Sequence, residues 1–185
     1  MYSQPLKPLY LALMHYPAVN RHGDIITATV EYFDFFDMSR VSLTYPLQAF
    51  YIVNPLASQR EFARHLLRHG SAREQDVKRN RVFSKTRVAA GVPEIIHEVV
   101  AERGKTPLII ATSAKRYPQT ITFAEVTHLL ESHQPVVLLF GKAWGMPPEF
   151  VQQADYVLEP VDTGTGYNHL SVRSAVSIIV DRLFR

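Results

Sequence analysis

The chain has no cysteine, which rules out disulfides and thiolate metal sites; a reducing cytoplasm fits, as would other compartments. It has no apolar stretch near the roughly 18 residues needed to span a bilayer. Residues Met1 to Lys7 lack the long apolar segment of a signal peptide, so a cytoplasmic protein with no membrane partner is the expectation. No internal repeat, low-complexity tract or linker divides it, and one domain over 1–185 is the simplest reading. No G-x-G-x-x-G turn follows the first apolar run. His15-Tyr16-Pro17 stands there instead, which argues against a Rossmann nucleotide site. No Walker-type sequence exists either, since Gly141-Lys142 has the wrong spacing and no Ser or Thr after it. Charge of one sign is scarce too: 20 Lys and Arg face 17 Asp and Glu, a net +3. That permits an anionic partner without demanding one. What remains, 46% hydrophobic and 20% charged, is the composition of a soluble globular protein.

The most informative stretch is the last fifty residues. An apolar run, Val136 to Phe140, ends in Gly141-Lys142-Ala143-Trp144-Gly145-Met146-Pro147-Pro148. A second piece runs Tyr156 to Pro160, then a turn Thr163-Gly164-Thr165-Gly166, then Tyr167 to Ala175. Each piece reads as a buried strand, a loop of small residues and a helix start. Two such loops at the carboxyl ends of neighbouring strands suit a small ligand with an apolar ring and a polar tail.

The rest of the chain alternates in the same way. Leu9 to Met14 is the expected first strand, closed by His15-Tyr16-Pro17, with Ile25 to Val30 extended after it. Asp34 starts an amphipathic helix that ends before Pro46. Ala49 to Val53 is a strand, and Ser58 caps a helix from Gln59 to His69 with Gly70 beyond it. Ser71 to Ser84 is polar and partly helical. A short strand, Thr86 to Ala90, precedes a helix from Pro93 to Arg103 that Gly104 ends. Leu108 to Ala111 is a strand with the loop Thr112-Ser113-Ala114, followed by a helix near Phe123 to Ser132 capped by Thr120 or Thr122. The last helix runs from Ser171 to Leu183. Strands alternating with helices imply α/β architecture and a mostly parallel sheet flanked by helices.

Arg60 to Arg87 holds nine Lys or Arg against three acids, an excess larger than the net charge of the whole chain. It could track phosphates, with Arg79 and Arg81 as candidate contacts, or it could be a solvated helix pair. Tyr16 and the run Tyr32-Phe33, Phe35-Phe36 could stack on a flipped base, although such a run is more often core. His65 and His69 share one helix face, but without an H-E-x-x-H pattern they do not argue for a metal, and none is expected.

The chain resembles the SPOUT superfamily of knotted, S-adenosylmethionine-dependent RNA methyltransferases. More narrowly, it resembles a small bacterial family of SPOUT domains sometimes joined to the tRNA (guanine-N1) methyltransferase. The resemblance rests on Leu13-Met14-His15-Tyr16-Pro17, Asp34–Asp37–Arg40, Phe50 to Leu56, Ala111 to Ala114, Leu138 to Gly145 and Tyr167 to Ala175, in that order along nearly the whole chain. It implies a C-terminal trefoil knot, an exception to the general avoidance of threaded chains. It also implies a homodimer through the knot region, with S-adenosylmethionine at the knot.

By resemblance the cofactor residues are Thr112, Ser113, Phe140, Gly141, Trp144, Gly145, Leu158, Pro160, Asn168, Leu170 and Ser171. The glycines let backbone approach closely, and the hydroxyls of Thr112, Ser113 and Ser171 can hold polar atoms. Arg40 matches an Arg in the first motif of the ribose-methylating branch. As a permanent cation it suits phosphate or oxyanion contact better than a base role. Asp37 is the companion catalytic candidate, or, with Asp34, a charge pair at a helix N-terminus. Tyr16, Arg79, Arg81 and Arg173 are the substrate-side candidates; Arg173 could equally form a salt bridge at the dimer interface.

Three positions depart from the family pattern. Lys142-Ala143 stands where Thr-Gly is expected, Pro46 where a Gly is expected, and Tyr32 or Phe33 where the ribose-methylating branch has Asn. The function implied is methyl transfer from S-adenosylmethionine to RNA, in particular tRNA. The rivals are a cofactor-binding module that assists another methyltransferase, and a methyltransferase of protein or small molecules.

Overall fold

Alternation in the first apolar run sets the architecture. Leu9, Leu11 and Leu13 pack on one face, Tyr10, Ala12 and Met14 on the other, and all are buried. A strand buried on both sides belongs in the middle of a parallel sheet covered by helices. The computed structural model describes residues 6–69 and 81–185 and has that arrangement.

The strands are β1 (Leu9–Val19), β2 (Ile25–Ile26), β3 (Ala49–Val53), β4 (Thr86–Ala89), β5 (Leu108–Thr112), β6 (Thr120–Ile121), β7 (Val136–Ala143) and β8 (Tyr156–Leu158). The helices are α1 (Tyr32–Thr44), α2 (Ala57–His69), α3 (Val92–Arg103), α4 (Phe123–Glu131), α5 (Pro148–Val151) and α6 (Val172–Phe184). The sheet order is β4-β3-β1-β7-β5-β8-β6, with every pair along it parallel; β2 adds to β1 antiparallel. Thus β1 and β7 lie side by side, with Leu13 opposite Phe140, 127 positions further along the chain. On one face, α1, α2, α4 and α6 bury Phe35, Met38, Ala63, Val126 and Val176 against the sheet. On the other, α3 and α5 bury Ile95, Val99 and Val151.

Local chemistry explains most element ends. Thr122 caps α4 in a reciprocal box with Glu125. Ser171 caps α6, its hydroxyl accepting from the Ser174 N–H. Gly104 ends α3 in the left-handed conformation that lets the chain leave a helix.

The structure corrects the sequence reading where tertiary pairing overrides local signals. β1 does not stop at Met14. Its register against β7 shifts between Met14 and Val19, and the strand runs on through Pro17. β7 likewise continues past Phe140 to Ala143, because Ala143 pairs with Val19. The extended stretch after Asp24 forms only the two-residue β2. Helix α1 starts at Tyr32, two residues before Asp34, and Ser58 lies inside α2 rather than capping it. β6, too short to show a period, had no counterpart in the reading, whereas the helix start expected after Met146-Pro147-Pro148 is the four-residue α5. Residues 70–80 lie outside the described residues, and with them most of the expected polar segment; 81–84 form a tight turn closed by Ser84 N–H on the Arg81 carbonyl at 3.0 Å.

Candidate functional site

Three loops meet at the carboxyl ends of β5, β7 and β8. The Thr112 hydroxyl donates to the Leu139 carbonyl at 2.8 Å, tying the end of β5 to β7. The Asn168 amide donates to the Ala114 carbonyl at 2.7 Å, tying the loop after β8 to the loop after β5. Gly141 lies against the turn that follows it: a Cβ there would fall 2.9 Å from Gly145 Cα and Met146 N. No other residue allows that approach. The turn is itself bound to β1, with Trp144 N–H on the Val19 carbonyl at 3.0 Å and Val19 N–H on the Gly145 carbonyl at 2.9 Å.

Ser113, Pro160 and Asn168 are half-buried, while Leu170 and Ser171 are exposed. Trp144 is 73% exposed, so its indole faces solvent. Phe140 and Leu158 are each 1% exposed, committed to the core with the α1 and α6 layer. Of those two, only the backbone is available to a ligand.

A charge cluster joins this edge to α1. Lys142 continues the face of Leu138 and Phe140, and its ammonium reaches the N-terminal end of α1. There it donates to Glu31 Oε2 at 2.7 Å and to Asp34. Asp34 also pairs with Arg173 Nε at 3.2 Å, and Arg173 Nη1 donates to Asp37 at 2.9 Å. The Asp34 and Lys142 side chains are only 8% and 9% exposed, whereas Glu31, Asp37 and Arg173 reach solvent. The Lys142 ammonium holds the Glu31 carboxyl below its ordinary range. Asp37 and its partners likewise keep the Arg173 guanidinium firmly charged.

His15 completes the cluster. It continues the face of Leu9, Leu11 and Leu13 and is 1% exposed. Its Nδ1 lies 3.2 Å from the Leu13 carbonyl and 3.1 Å from the Val53 carbonyl, so the proton sits there. Nε2 is buried with no hydrogen-bond partner among the described residues. Burial, and then the Lys142 charge, push the imidazole down to about 4, so it is neutral at pH 7.

Arg40 stands beside the cluster. It lines an open groove of about 720 Å³ between α1 and α6, with Asp37, Thr44, Ser171, Arg173 and Ser177. Its guanidinium lies 5.7 Å from the Phe36 ring. Tyr16 is half-exposed on the irregular part of β1. Arg81 is exposed, and Arg79 lies outside the described residues.

The basic stretch is less available than its composition suggests. Arg60 donates to the Asn54 carbonyl at 3.0 Å, Arg68 pairs with Glu61 at 2.7 Å, and Arg87 pairs with Glu98 and Glu102. Arg173, expected to meet substrate or a second subunit, pairs with Asp34 and Asp37 of its own chain.

A model of a family described as SAM-dependent RNA methyltransferase matches residues 8–185. The chain belongs to this family. An uncharacterised Aquifex aeolicus protein is 33% identical over 180 residues, covering 95% of this chain and 88% of that one. A tRNA (guanine-N(1)-)-methyltransferase of Oleidesulfovibrio alaskensis is 37% identical over 184 residues, covering 98% of this chain and 43% of that protein. The chain therefore spans less than half of that relative.

Among solved structures, the A. aeolicus TrmH/SpoU tRNA modifying enzyme superposes with a TM-score of 0.55 at 17% identity, over 97% of this chain and 75% of that one. The SpoU methyltransferase AviRb of Streptomyces viridochromogenes, solved with AdoMet, gives 0.55 at 12% identity, over 99% and 58%. At such identity the likeness is one of fold, shared with these two enzymes.

Within this family member, Glu31, Lys142 and His15 are residues that sequence reasoning did not put together. A signal existed. A lysine and a histidine each extend a strictly apolar strand face, where a polar group needs a buried partner.

Proposed function

We propose that this SAM-dependent RNA methyltransferase binds S-adenosylmethionine at the crevice of the three loops, within a C-terminal trefoil knot, and methylates tRNA as a homodimer. The observation that carries the reading is the convergence of those loops at the carboxyl ends of central parallel strands, where open α/β sheets bind ligands.

The residues fit the cofactor. Gly141 lets the turn through Gly145 fold close against the end of β7. Ser113 and Ser171 offer hydroxyls, and Leu170 and Pro160 offer apolar surface. The Lys142 ammonium, in the segment after Phe140, is paired with two carboxylates rather than left to repel a sulfonium. When bound, S-adenosylmethionine supplies a methyl group on a sulfonium, open to in-line displacement. The chain's part is then positioning. Arg40, at the groove beside Ser171, holds a phosphate or developing oxyanion of the RNA, and Asp37 fixes Arg173 next to it. Tyr16, Arg79 and Arg81 contribute to the RNA-facing surface.

Incubation with labelled S-adenosylmethionine and total RNA, followed by mapping of the label, tests the reading. Label in tRNA is expected, and its absence from all RNA rejects the activity. Arg40→Ala should abolish transfer with cofactor affinity nearly unchanged in calorimetry; an unaltered rate rejects its role. Sedimentation should give a dimer.

A second reading is favoured by the size of the O. alaskensis relative, of which this chain spans 43%. In it the domain binds cofactor and assists another methyltransferase. Tight cofactor binding with no transfer to RNA would select it.

A further inference from the structure

In the basic stretch that composition singles out, Arg60, Arg68 and Arg87 already have partners within the chain. A smaller pair of cations does not. Lys115 and Arg116 are exposed on the loop after β5, and neither side chain meets an acceptor or a carboxylate among the described residues. The two acids of the loop after β8 face elsewhere: Glu159 accepts from the Phe123 N–H and Asp162 from the Gly164 N–H, each at 2.8 Å.

The loop that carries the two cations is held at both ends. The Ser113 hydroxyl accepts from the Lys115 N–H at 3.1 Å, and the Thr120 hydroxyl accepts from the Tyr117 N–H at 2.9 Å. Tyr117 packs on the α3 and α5 layer, while its two predecessors stay outside. A loop fixed in this way loses little freedom when a ligand arrives.

Aromatic surface stands next to the cations. The 2.7 Å hydrogen bond from Asn168 to Ala114 joins the two loops; Tyr167 and His169 flank Asn168, and Lys115 follows Ala114. Tyr167 is 72% exposed, its ring edge-on to His169 with centroids 5.7 Å apart. Unpaired cations beside an exposed aromatic face match RNA, whose phosphates take the charges and whose unstacked bases take the ring. A self-complementary contact between two copies, centred on this patch, would set like charges together instead.

We infer that Lys115, Arg116 and Tyr167 form a landing for single-stranded RNA at the mouth of the three-loop crevice, with the cations on phosphates and the tyrosine ring stacked on a base. The inference rests on the reading of that crevice as the place where RNA is methylated. The landing is tolerant of sequence, because every nucleotide has a phosphate and a π-face.

Filter retention of labelled poly(U) by the full chain, over a range of salt concentrations, tests it. Lys115→Gln combined with Arg116→Gln should reduce the slope of log affinity against log salt by about 1.4, two single-strand phosphate contacts at about 0.7 each. Tyr167→Ala should weaken retention about tenfold with the slope unchanged, and Tyr167→Phe should restore it. Each variant should bind S-adenosylmethionine in calorimetry, and sediment, as the unsubstituted chain does. The inference is overturned by an unmoved slope in the double variant, by full retention in Tyr167→Ala, or by a variant that loses S-adenosylmethionine or changes its sedimentation. If the unsubstituted chain methylates RNA yet does not retain poly(U), the landing falls and the transfer reading stands. Retention with the expected shifts but no methylation keeps the landing and rejects transfer. Neither retention nor methylation overturns both.

Discussion

Two polar networks lie on opposite faces of the same sheet. On the α3 face, the Tyr51 hydroxyl donates to Glu98 at 2.9 Å, Arg87 donates to Tyr51 at 2.9 Å, and the Tyr10 hydroxyl donates to Glu102 at 3.2 Å. Both tyrosine rings are buried, but their hydroxyls emerge among charged groups that water can reach. Burial, and then the Glu98 carboxylate, raise Tyr51 well above its ordinary range, so it stays a donor. On the α1 and α6 face, Asp34 and Lys142 are buried, His15 keeps an unmet acceptor, and Ala143 holds φ 53°. Similar side chains thus make a satisfied strut in one place and an incomplete, desolvated cluster in the other. Departures of that kind gather where binding or chemistry happens.

The contrast predicts unequal costs. Asp34→Ala leaves Lys142 buried with one carboxylate and should lose about 3–5 kcal/mol of stability in urea unfolding. Glu98→Ala on the other face should lose about 1 kcal/mol, because Arg87 keeps Glu102 and water. Equal losses would mean that burial does not separate the networks.

His15 gives the next largest effect. Its folded value of about 4 lies below the ordinary 6.5. Between those values the unfolded chain holds a proton that the folded chain does not. Stability should fall as pH drops from about 6.5 to about 4, by up to about 3 kcal/mol, and then level off. His15→Gln should flatten that slope relative to the unsubstituted chain; an unchanged slope would put the acid sensitivity elsewhere.

Tyr51→Phe should cost about 1 kcal/mol in the same assay, since its partners stay hydrated. The smallest effect is a gain. Ala143 occupies a left-handed conformation that favours glycine, so Ala143→Gly should stabilise by about 0.5–1 kcal/mol. A loss would show that the turn before Trp144 is not strained.

Part of the site was legible beforehand. The family resemblance grouped the three loops, and they do lie at the ends of β7, β5 and β8; the two Gly-bearing loops, expected on neighbouring strands, are separated by β5. The expected use of side chains fared less evenly. Phe140 is a cofactor residue by resemblance, yet strand alternation turns its side chain into the core. The basic stretch was open to two readings, a phosphate-tracking face or a solvated helix pair; among its described residues Arg60, Arg68 and Arg87 are occupied by carbonyls and carboxylates. A count of charges says nothing about which of them already have partners.

From the chain alone came the alternating elements, their caps at Thr122, Ser171 and Gly104, and the two-faced burial of β1 and β7, since propensity, capping and periodicity act over a few residues. Sheet order was left to tertiary structure, and with it the meeting of His15, Glu31, Asp34, Lys142 and Arg173. Those residues lie up to 158 positions apart. Only the pairing of β1 with β7, and the packing of α1 on α6, bring their charges within reach of one another.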